Sequence, residues 1–147
     1  MITRHLLVAF AIVGASTMSV STECVILTTK QVMSQPSFEI VFSGRVVDVK
    51  AAGANGYRAT FEVDRVWKGT VPARIDLYVP PSPAEVPRFN KGTRYVAVAH
   101  KMTSGAARKM VGLSSDPARV AYAPAACSDA LERDFEKLLG AGYEPQR

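Results

Sequence analysis

The sequence predicts a mainly β protein, a small barrel of five strands followed by one packing helix. Three observations predict this fold. Between Phe38 and Leu113, apolar and polar residues alternate in short runs that are separated by turns containing glycine or proline. Glycines fall inside or beside these runs, where they allow a strand to bend sharply. After residue 128, the spacing of apolar residues changes to that of a helix.

The first two predicted strands form a hairpin. The first covers residues 38–50, and Gly44 is expected to produce a bulge or a sharp bend in it. The pair Asn55–Gly56 supplies the positive φ angles that tight hairpin turns need. The second strand begins at Tyr57, and its alternation slips near its end, which makes Arg65 a candidate bulge. On the first strand, one face is expected to carry Ile40, Phe42, Gly44 and Val46. On the second strand, one face is expected to carry Tyr57, Ala59, Phe61 and Val63.

Three shorter strands are predicted to complete the sheet. Residues 75–79 alternate, and the run Pro80–Pro81–Ser82–Pro83 ends them because proline cannot donate a backbone hydrogen bond. Residues 95–100 are apolar on both faces and predict a central strand. Residues 109–113 predict a shorter fifth strand.

A C-terminal helix is predicted from its caps and its apolar spacing. Ser128 or Asp129 can cap its start, and Asp129 together with Glu132 fits a capping box. Gly140 supplies a stop. The apolar residues expected on one helix face are Leu131, Phe135 and Leu138.

We expect residues 22–147 to form a single domain, since about 125 residues can bury one core. Its strands are unequal in length and bent by glycines and bulges. This pattern favours a closed barrel of the oligonucleotide/oligosaccharide-binding (OB) type. A sandwich would show more strands at even spacing.

Residues 1–21 are predicted to be a secretory signal peptide. Arg4 precedes the apolar run 6–13, and small residues follow at 14–17. The apolar run is too short for a stable membrane span. We therefore expect cleavage between residues 15 and 22 and a secreted or periplasmic protein.

Two cysteines, Cys24 and Cys127, are expected to form a disulfide, because an even cysteine count in an oxidising compartment is most simply paired. The bridge closes a loop of about 100 residues, which the chain-entropy model values at about 4 to 5 kcal/mol. A lipid-modified Cys24 is the alternative. Glu23 disfavours it, because a charged residue before the cysteine is unlike a lipobox.

The net charge of +5 and the sequence pI of about 9.4 do not predict a nucleic-acid partner. The basic residues are interspersed with acidic ones, as in the segment 58–68, and form no clustered stripe with interleaved aromatic residues. We expect a monomer whose partner is an exported protein or another extracellular ligand.

Four motifs together resemble the netrin-like domain, which is related to the tissue inhibitors of metalloproteinases. The motifs are Phe42-Ser43-Gly44-Arg45-Val46, Phe61-Glu62-Val63 leading into Val66-Trp67-Lys68-Gly69, Phe89-Asn90-Lys91-Gly92-Thr93-Arg94-Tyr95, and the late Cys127. The resemblance implies an OB-type barrel with an N-terminal cysteine segment bridged to the body and helix. Such domains often carry a second N-terminal cysteine and another cysteine before the Phe-x-x-Gly-x-x-Tyr stretch. The loop 80–88 has none.

The motif residues are expected to serve packing. Trp67 can cover the barrel mouth, Gly69 and Gly92 allow tight turns, and Phe89 and Tyr95 add buried aromatic area. The structural motif as a whole comprises Phe42, Gly44, Trp67, Gly69, Phe89, Gly92 and Tyr95.

Residues that could carry catalysis are few, so we expect no catalytic, cofactor-binding or metal-binding residues. His100 is the only histidine that remains after the signal is removed, and it lies at the end of a strand. Glu62 and Asp64 lie two residues apart, which could make an acid and base pair. Alternation on a wet strand face predicts the same pattern without chemistry.

The hypothesis that follows is an exported, non-enzymatic binding module that uses a barrel rim made of the proline loop and residues 101–108. The first alternative is a metalloprotease inhibitor of the tissue-inhibitor type, in which a free amino group at Cys24 would coordinate the target's zinc. That mechanism requires cleavage after Glu23, whereas signal peptidase prefers small residues. The second alternative is oligosaccharide or oligonucleotide binding, which the lack of interleaved aromatic residues disfavours.

Overall fold

A computed structural model shows a mainly β protein, as predicted, and describes residues 27–81, 89–116, 118–125 and 134–147. Within these ranges, eight elements form in chain order: α1 (Thr29–Ser34), β1 (Ile40–Ala52), β2 (Gly56–Lys68), β3 (Arg74–Val79), β4 (Arg94–Lys101), α2 (Gly105–Met110), β5 (Tyr122–Pro124) and α3 (Phe135–Leu139). The predicted signal peptide lies outside the described residues.

The five strands close into a barrel in the order β1-β2-β3-β5-β4. Neighbouring strands are antiparallel except β3 and β5, which run parallel and pair at Leu77 and Tyr122. The predicted five-stranded OB-type barrel with a short C-terminal helix is therefore confirmed.

The β1–β2 hairpin contains the predicted bend at Gly44, where the register of the two strands shifts. A Cβ at this glycine would lie 2.5 Å from the Glu62 carbonyl oxygen, so the strands approach too closely there for any other residue. The bulge predicted at Arg65 is one residue off. Arg65 pairs with Ser43, and Asp64 is the residue that the ladder leaves out.

The hairpin turn is confirmed, but its positive φ angle lies at Gly53 and not at Asn55–Gly56. Ala52 pairs with Gly56, so the loop has three residues. A three-residue loop needs its positive φ angle at a different position from the two-residue turn that Asn-Gly favours.

The barrel interior is filled by aromatic side chains in edge-to-face contact. Phe42, Phe61, Phe89 and Tyr95 form a continuous chain whose successive ring centroids lie 5.4, 5.0 and 5.2 Å apart. The first three are buried and Tyr95 is partly buried. The expected packing role of Phe42, Phe89 and Tyr95 thus agrees with the structure. Other interior residues include Val46, Ala59, Ile75, Leu77, Ala97 and Ala99.

A second apolar cluster lies outside the barrel, where α1 and α3 cover β1 and β4. Its buried members are Val32, Val41, Trp67, Val98, Ala125 and Phe135. Trp67 belongs to this outer cluster, and its Nε1 donates a hydrogen bond to the Gly140 carbonyl oxygen at 2.9 Å. The helix and the end of β2 are joined at this contact.

Helix α3 ends at Gly140, as predicted, but Leu138 does not lie on its buried face. Leu138 is 61% exposed, whereas Phe135 is buried and Leu139 packs against the outer cluster. The predicted N-terminal part of this helix, with Ser128, Asp129, Leu131 and Glu132, lies outside the described residues.

The fifth strand was predicted in the wrong place. Residues 109–113 form no strand, because Lys109 and Met110 end α2, whose N-cap Ser104 accepts a hydrogen bond from the Ala107 backbone. The closing strand is instead β5, a three-residue strand that contains Pro124.

Turns at Gly69 and Gly92 are confirmed by their φ angles of 74° and 86°. These angles lie in the left-handed region that glycine adopts at no steric cost. None of the helices in the described ranges is long and apolar enough to cross a membrane.

Candidate functional site

Arg94, the first residue of β4, lies between carboxylates from two distant parts of the chain. Its Nε is 2.7 Å from Asp64 Oδ2, and its Nη2 and Nη1 are 2.6 and 2.9 Å from the two carboxylate oxygens of Glu136. Nη2 also donates to Ser43 Oγ at 2.8 Å, and Ser43 donates to Asp64. We call these four residues the Arg94 cluster.

The bulge in β2 explains how the Arg94 cluster forms. Because the ladder omits Asp64, this carboxylate lies beside Ser43 on the outer face while Val63 remains in the core. Glu136 comes from the first turn of α3. The cluster therefore ties the C-terminal helix to β1, β2 and β4.

Pairing lowers the pKa of both carboxyl groups in the Arg94 cluster. Partial burial raises the pKa of Asp64, but hydrogen bonds from Arg94 and Ser43 and the charge of Arg94 outweigh it. The hydrogen bond from Arg94 is the main reason why the pKa of Glu136 is lowered. Both groups are charged at neutral pH, so neither is suited to act as a general acid there.

A polar hollow of about 400 Å³ lies on the outer face of β1, β2 and β3. The strand register places Asp48, Thr60 and Asp76 in one row across the three strands, and Lys50 beside Arg58 in the next. Alternate residues of each strand point to the same face, which is why the charges converge. We call this site the strand-face hollow, and its lining residues are Asp48, Lys50, Arg58, Thr60, Arg74 and Asp76.

The charges in the strand-face hollow are only partly paired. Lys50 Nζ is 3.0 Å from Asp48, and the buried Thr60 donates to Asp76 at 2.6 Å. Arg58 Nη1 is 3.8 Å from Asp76, and Arg58 Nε is buried without a hydrogen-bond partner among the residues that the structure describes.

Arg74 makes no ion pair with any residue in the described ranges. Together with Arg58, it leaves guanidinium donors available at the strand-face hollow. Unlike the Arg94 cluster, this face can donate further hydrogen bonds to a ligand.

A second open site, the barrel-end groove, has a volume of about 440 Å³ and includes His100 and Lys101 at the end of β4. Glu39 lines one side of this groove and is fixed to Lys101. It accepts a hydrogen bond from the Lys101 backbone at 2.5 Å, and its carboxylate lies 3.5 Å from Lys101 Nζ. The imidazole of His100 makes no hydrogen bond within the part of the chain that the structure describes, although its backbone pairs with Ala123 of β5. The remaining lining residues are Ser37, Phe38, Thr103 and Ala125.

The predicted binding rim is only partly available for contact with a ligand. Lys101 and Thr103 line the barrel-end groove, but Arg108 is 1% exposed. Its Nε and Nη1 donate to the carbonyl oxygens of Ser114 and Met102 at 2.7 and 3.1 Å. Arg108 therefore holds the polypeptide around α2 and does not face solvent. Residues 82–88 of the predicted proline loop lie outside the described residues.

Glu62 and Asp64 make different contacts in the structure. Glu62 is exposed and pairs in register with Arg45 and Arg74, whereas Asp64 belongs to the Arg94 cluster. Neither the Arg94 cluster nor the strand-face hollow was predicted from sequence. The charged residues on the solvent-facing sides of β2 and β3 are the sequence signal that could have predicted the strand-face hollow.

The predicted disulfide partners, Cys24 and Cys127, lie outside the described residues. Within the described ranges, no three His, Cys, Asp or Glu residues are arranged to hold a metal ion.

Comparisons of this chain with models of known protein families, with curated proteins and with solved structures gave no match.

Proposed function

We propose that this protein is an exported binding module with a netrin-like OB barrel that carries out no chemistry of its own. The observation that carries the proposal is how its candidate catalytic groups are used. Asp64 is held by Arg94 and Ser43 in the Arg94 cluster. The imidazole of His100, another candidate, has no hydrogen-bond partner among the described residues that could orient it as a base.

Open polar surface on the outside of the barrel supports binding. The interior is occupied by the aromatic chain that begins at Phe42, so a ligand must contact the outer faces. The strand-face hollow and the barrel-end groove lie on these faces, and their volumes of about 400 and 440 Å³ are within the range of ligand sites.

Export and the netrin-like relationship rest on the sequence. The order of basic, apolar and small residues in 1–21 supports secretion or delivery to the periplasm. The burial of Phe42, Phe61 and Phe89 supports a packing role for the motif residues. The partner is an exported protein or another extracellular ligand, and the protein acts as a monomer.

The proposal is tested with the processed protein recovered from the exported fraction. Its N-terminal mass gives the cleavage site, and it is assayed against a panel of zinc proteases and hydrolase substrates with His100→Ala as the control. We expect neither inhibition nor turnover. Stoichiometric inhibition by a form that begins at Cys24 would favour the inhibitor alternative, and turnover that disappears in His100→Ala would refute a non-enzymatic role.

A further inference from the structure

We propose that the sheet edge covered by residues 141–147 is a docking site for an extended acidic peptide of a partner protein, which displaces this segment. We call residues 141–147 the strap, and we call the main chain beneath it, residues 66 and 71–73, the strap edge. The inference rests on the proposed function, because it names a surface and a partner class for the binding module. The strap edge shares no residue with the strand-face hollow.

The strap edge exists because β2 is longer than β3. Strand β3 pairs with β2 only as far as Glu62, whereas β2 continues to Lys68 and remains paired with β1 on its other side. The end of β2 therefore has no β3 residue beside it. The strap takes that place, through one bridge to Val66 and one to Pro72.

Main-chain hydrogen bonds hold the strap in place. Tyr143 and Val66 exchange two of them, at 2.8 and 2.9 Å. Gln146 donates to the Val71 carbonyl oxygen at 2.9 Å and accepts from the Ala73 N–H at 2.8 Å. The strap side chains are mostly exposed, Tyr143 at 47%. Since main-chain bonds do not depend on side-chain identity, another extended peptide can make the same four.

The strap edge is complementary to an extended main chain. Val66 is fully buried and Val71 is 1% exposed beneath the strap. Release of the strap leaves two N–H and two C=O groups of the strap edge open for pairing. Open main-chain groups are the property that lets a sheet edge take up an additional strand. A partner peptide can therefore replace the strap bond for bond.

The strap's own side chains indicate which peptide fits. Tyr143 donates a hydrogen bond from its hydroxyl to the Gly69 carbonyl oxygen. Glu144 lies 3.7 Å from Arg65 Nη1, and the two side chains are 82% and 42% exposed. Because this ion pair is long and solvated, Arg65 is available to a better-placed carboxylate of a partner. An aromatic residue followed by an acidic one, in extended conformation, thus matches the strap edge.

Gly142 allows the strap to be released by a single substitution. Its φ is 64°, and a Cβ there would lie 2.6 Å from the Val66 carbonyl oxygen, so Gly142→Ala is incompatible with the seated strap. The substitution changes no residue of the strap edge. Gly92→Ala is the matched control, because Gly92 also has a positive φ, 86°, but a Cβ there would meet nothing within 4 Å.

Fluorescence of Trp67, the only tryptophan of the chain, provides the measurement, because its Nε1 donates to the carbonyl oxygen of Gly140 beside the strap. The processed protein is titrated with an acetylated, amidated peptide that copies residues 141–147. The strap competes at an effective concentration of about 1 mM, so a peptide with a Kd of about 0.1 mM for the open edge binds wild type about tenfold more weakly. We therefore expect Gly142→Ala to bind the peptide about tenfold more tightly than wild type and Gly92→Ala. Equal binding by all three proteins overturns the proposal.

Tyr143→Phe keeps the proposal testable if Gly142→Ala does not fold. It removes only the hydroxyl bond to Gly69 and adds no atom that could clash. We expect this variant to bind the copied peptide about threefold more tightly than wild type, because its strap is held less firmly. Without a folded Gly142→Ala, the absence of tighter binding by Tyr143→Phe overturns the proposal.

Peptide charge and oligomeric state exclude other occupants. A peptide with glutamine in place of the glutamate should bind Gly142→Ala about threefold more weakly, and Arg65→Gln placed in Gly142→Ala should abolish that difference. Equal binding of both peptides by Gly142→Ala refutes an acidic partner. If Gly142→Ala forms a dimer in size-exclusion chromatography and does not bind the peptide, a second copy is the occupant and the proposal is wrong.

Failure of this inference is distinguishable from failure of the proposed function. If the released edge binds no peptide while the protein shows no turnover and no protease inhibition, the docking inference is wrong and the binding-module proposal stands. Turnover that disappears in His100→Ala refutes the proposed function whatever the outcome at the strap edge.

Discussion

Arg94 connects three strands and a helix through a single side chain, so removing it should lower the free energy of unfolding of the whole domain. The pairs it makes are about 40% exposed, which limits each to the modest range of partly solvated ion pairs. Because Arg94 also donates to Ser43, we expect Arg94→Ala to lower the free energy of unfolding by about 1 kcal/mol. Urea unfolding measured by tryptophan fluorescence would report this loss.

Lys50→Ala is the matched control for Arg94→Ala. Lys50 also pairs with a carboxylate, Asp48, but its side chain is 65% exposed and touches no second element by an ion pair. We expect a smaller effect from it than from Arg94→Ala. Equal midpoints for wild type and Arg94→Ala would contradict the structural role given to the cluster.

The pH dependence of stability should also report on the Arg94 cluster. The pKa values of Asp64 and Glu136 are lowered in the folded protein, so their stabilisation is fully present above their unfolded values of about 3.9 and 4.3. It is lost as the pH falls through the folded values. The unfolding free energy should therefore decrease more steeply below about pH 4.5 in wild type than in Arg94→Ala. Parallel curves from urea titrations at several pH values would argue against this linkage.

Some of these residues could not have been assigned from sequence. Ser43, Asp64, Arg94 and Glu136 are ordinary polar residues in four separate segments, and only the barrel closure and the docking of α3 bring them together. The interior residues are different, because alternation with a period of two already assigned Phe42 and Phe61 to a buried face.

The turn between β2 and β3 depends on Gly69 for two separate reasons. Its φ is 74°, and a Cβ there would lie 2.4 Å from the Glu39 carbonyl oxygen. Gly92 has φ of 86° with open space around a Cβ, so it shares the first reason only. We expect Gly92→Ala to cost about 1 kcal/mol and Gly69→Ala about 3 kcal/mol or more.

Thermal or urea unfolding of both variants checks this difference. If Gly92→Ala were as destabilising as Gly69→Ala, the close approach of the Glu39 backbone would not matter. The comparison is clean because both changes have the same effect on the unfolded chain.

The sequence predicted the elements in which apolar and polar residues repeat with a clear period, and it did not predict those without such a repeat. Strands β1 to β4 show alternation or a continuous apolar run, so tertiary structure and sequence pattern agree. Strand β5 has three residues and includes Pro124, which carries no strand signal. Residues 109–113 look like a short strand, yet the Ser104 cap and the buried Arg108 hold this region in a helix.

Helix α1 was missed although its start carries a recognisable signal. Thr28 and Gln31 form a capping box, the Thr/x/x/Gln pattern that marks a helix N-terminus. The helix has only six residues and one buried side chain, Val32, so its apolar period is too short to detect. The capping box of Thr28 and Gln31 is therefore the one sequence signal from which α1 could have been predicted.

At the scale of the molecule, the arrangement of the described chain ends supports the predicted disulfide. Leu27, three residues after Cys24, and Ala125, two residues before Cys127, both belong to the outer apolar cluster. We expect Cys24→Ser and Cys127→Ser to lower the unfolding free energy equally, by about 4 kcal/mol, because each opens the same loop of about 100 residues.

The double variant Cys24→Ser/Cys127→Ser is the control, since it should be no less stable than either single one. Unfolding curves and peptide mapping under non-reducing conditions provide the measurements. Additive losses, or two free thiols in the exported protein, would rule out the bridge.

The small size of β5 has a kinetic consequence. It closes the barrel through one residue pair with β3 and three with β4, all distant in sequence, whereas β1 and β2 pair across a short turn. Loop-closure entropy delays such distant contacts, so we expect the β5 seam to form after the folding transition state. Ala123→Gly should then speed unfolding and leave the folding rate nearly unchanged in stopped-flow experiments. If that result is obtained, the lifetime of the folded protein is set by how long β5 stays paired with β3 and β4.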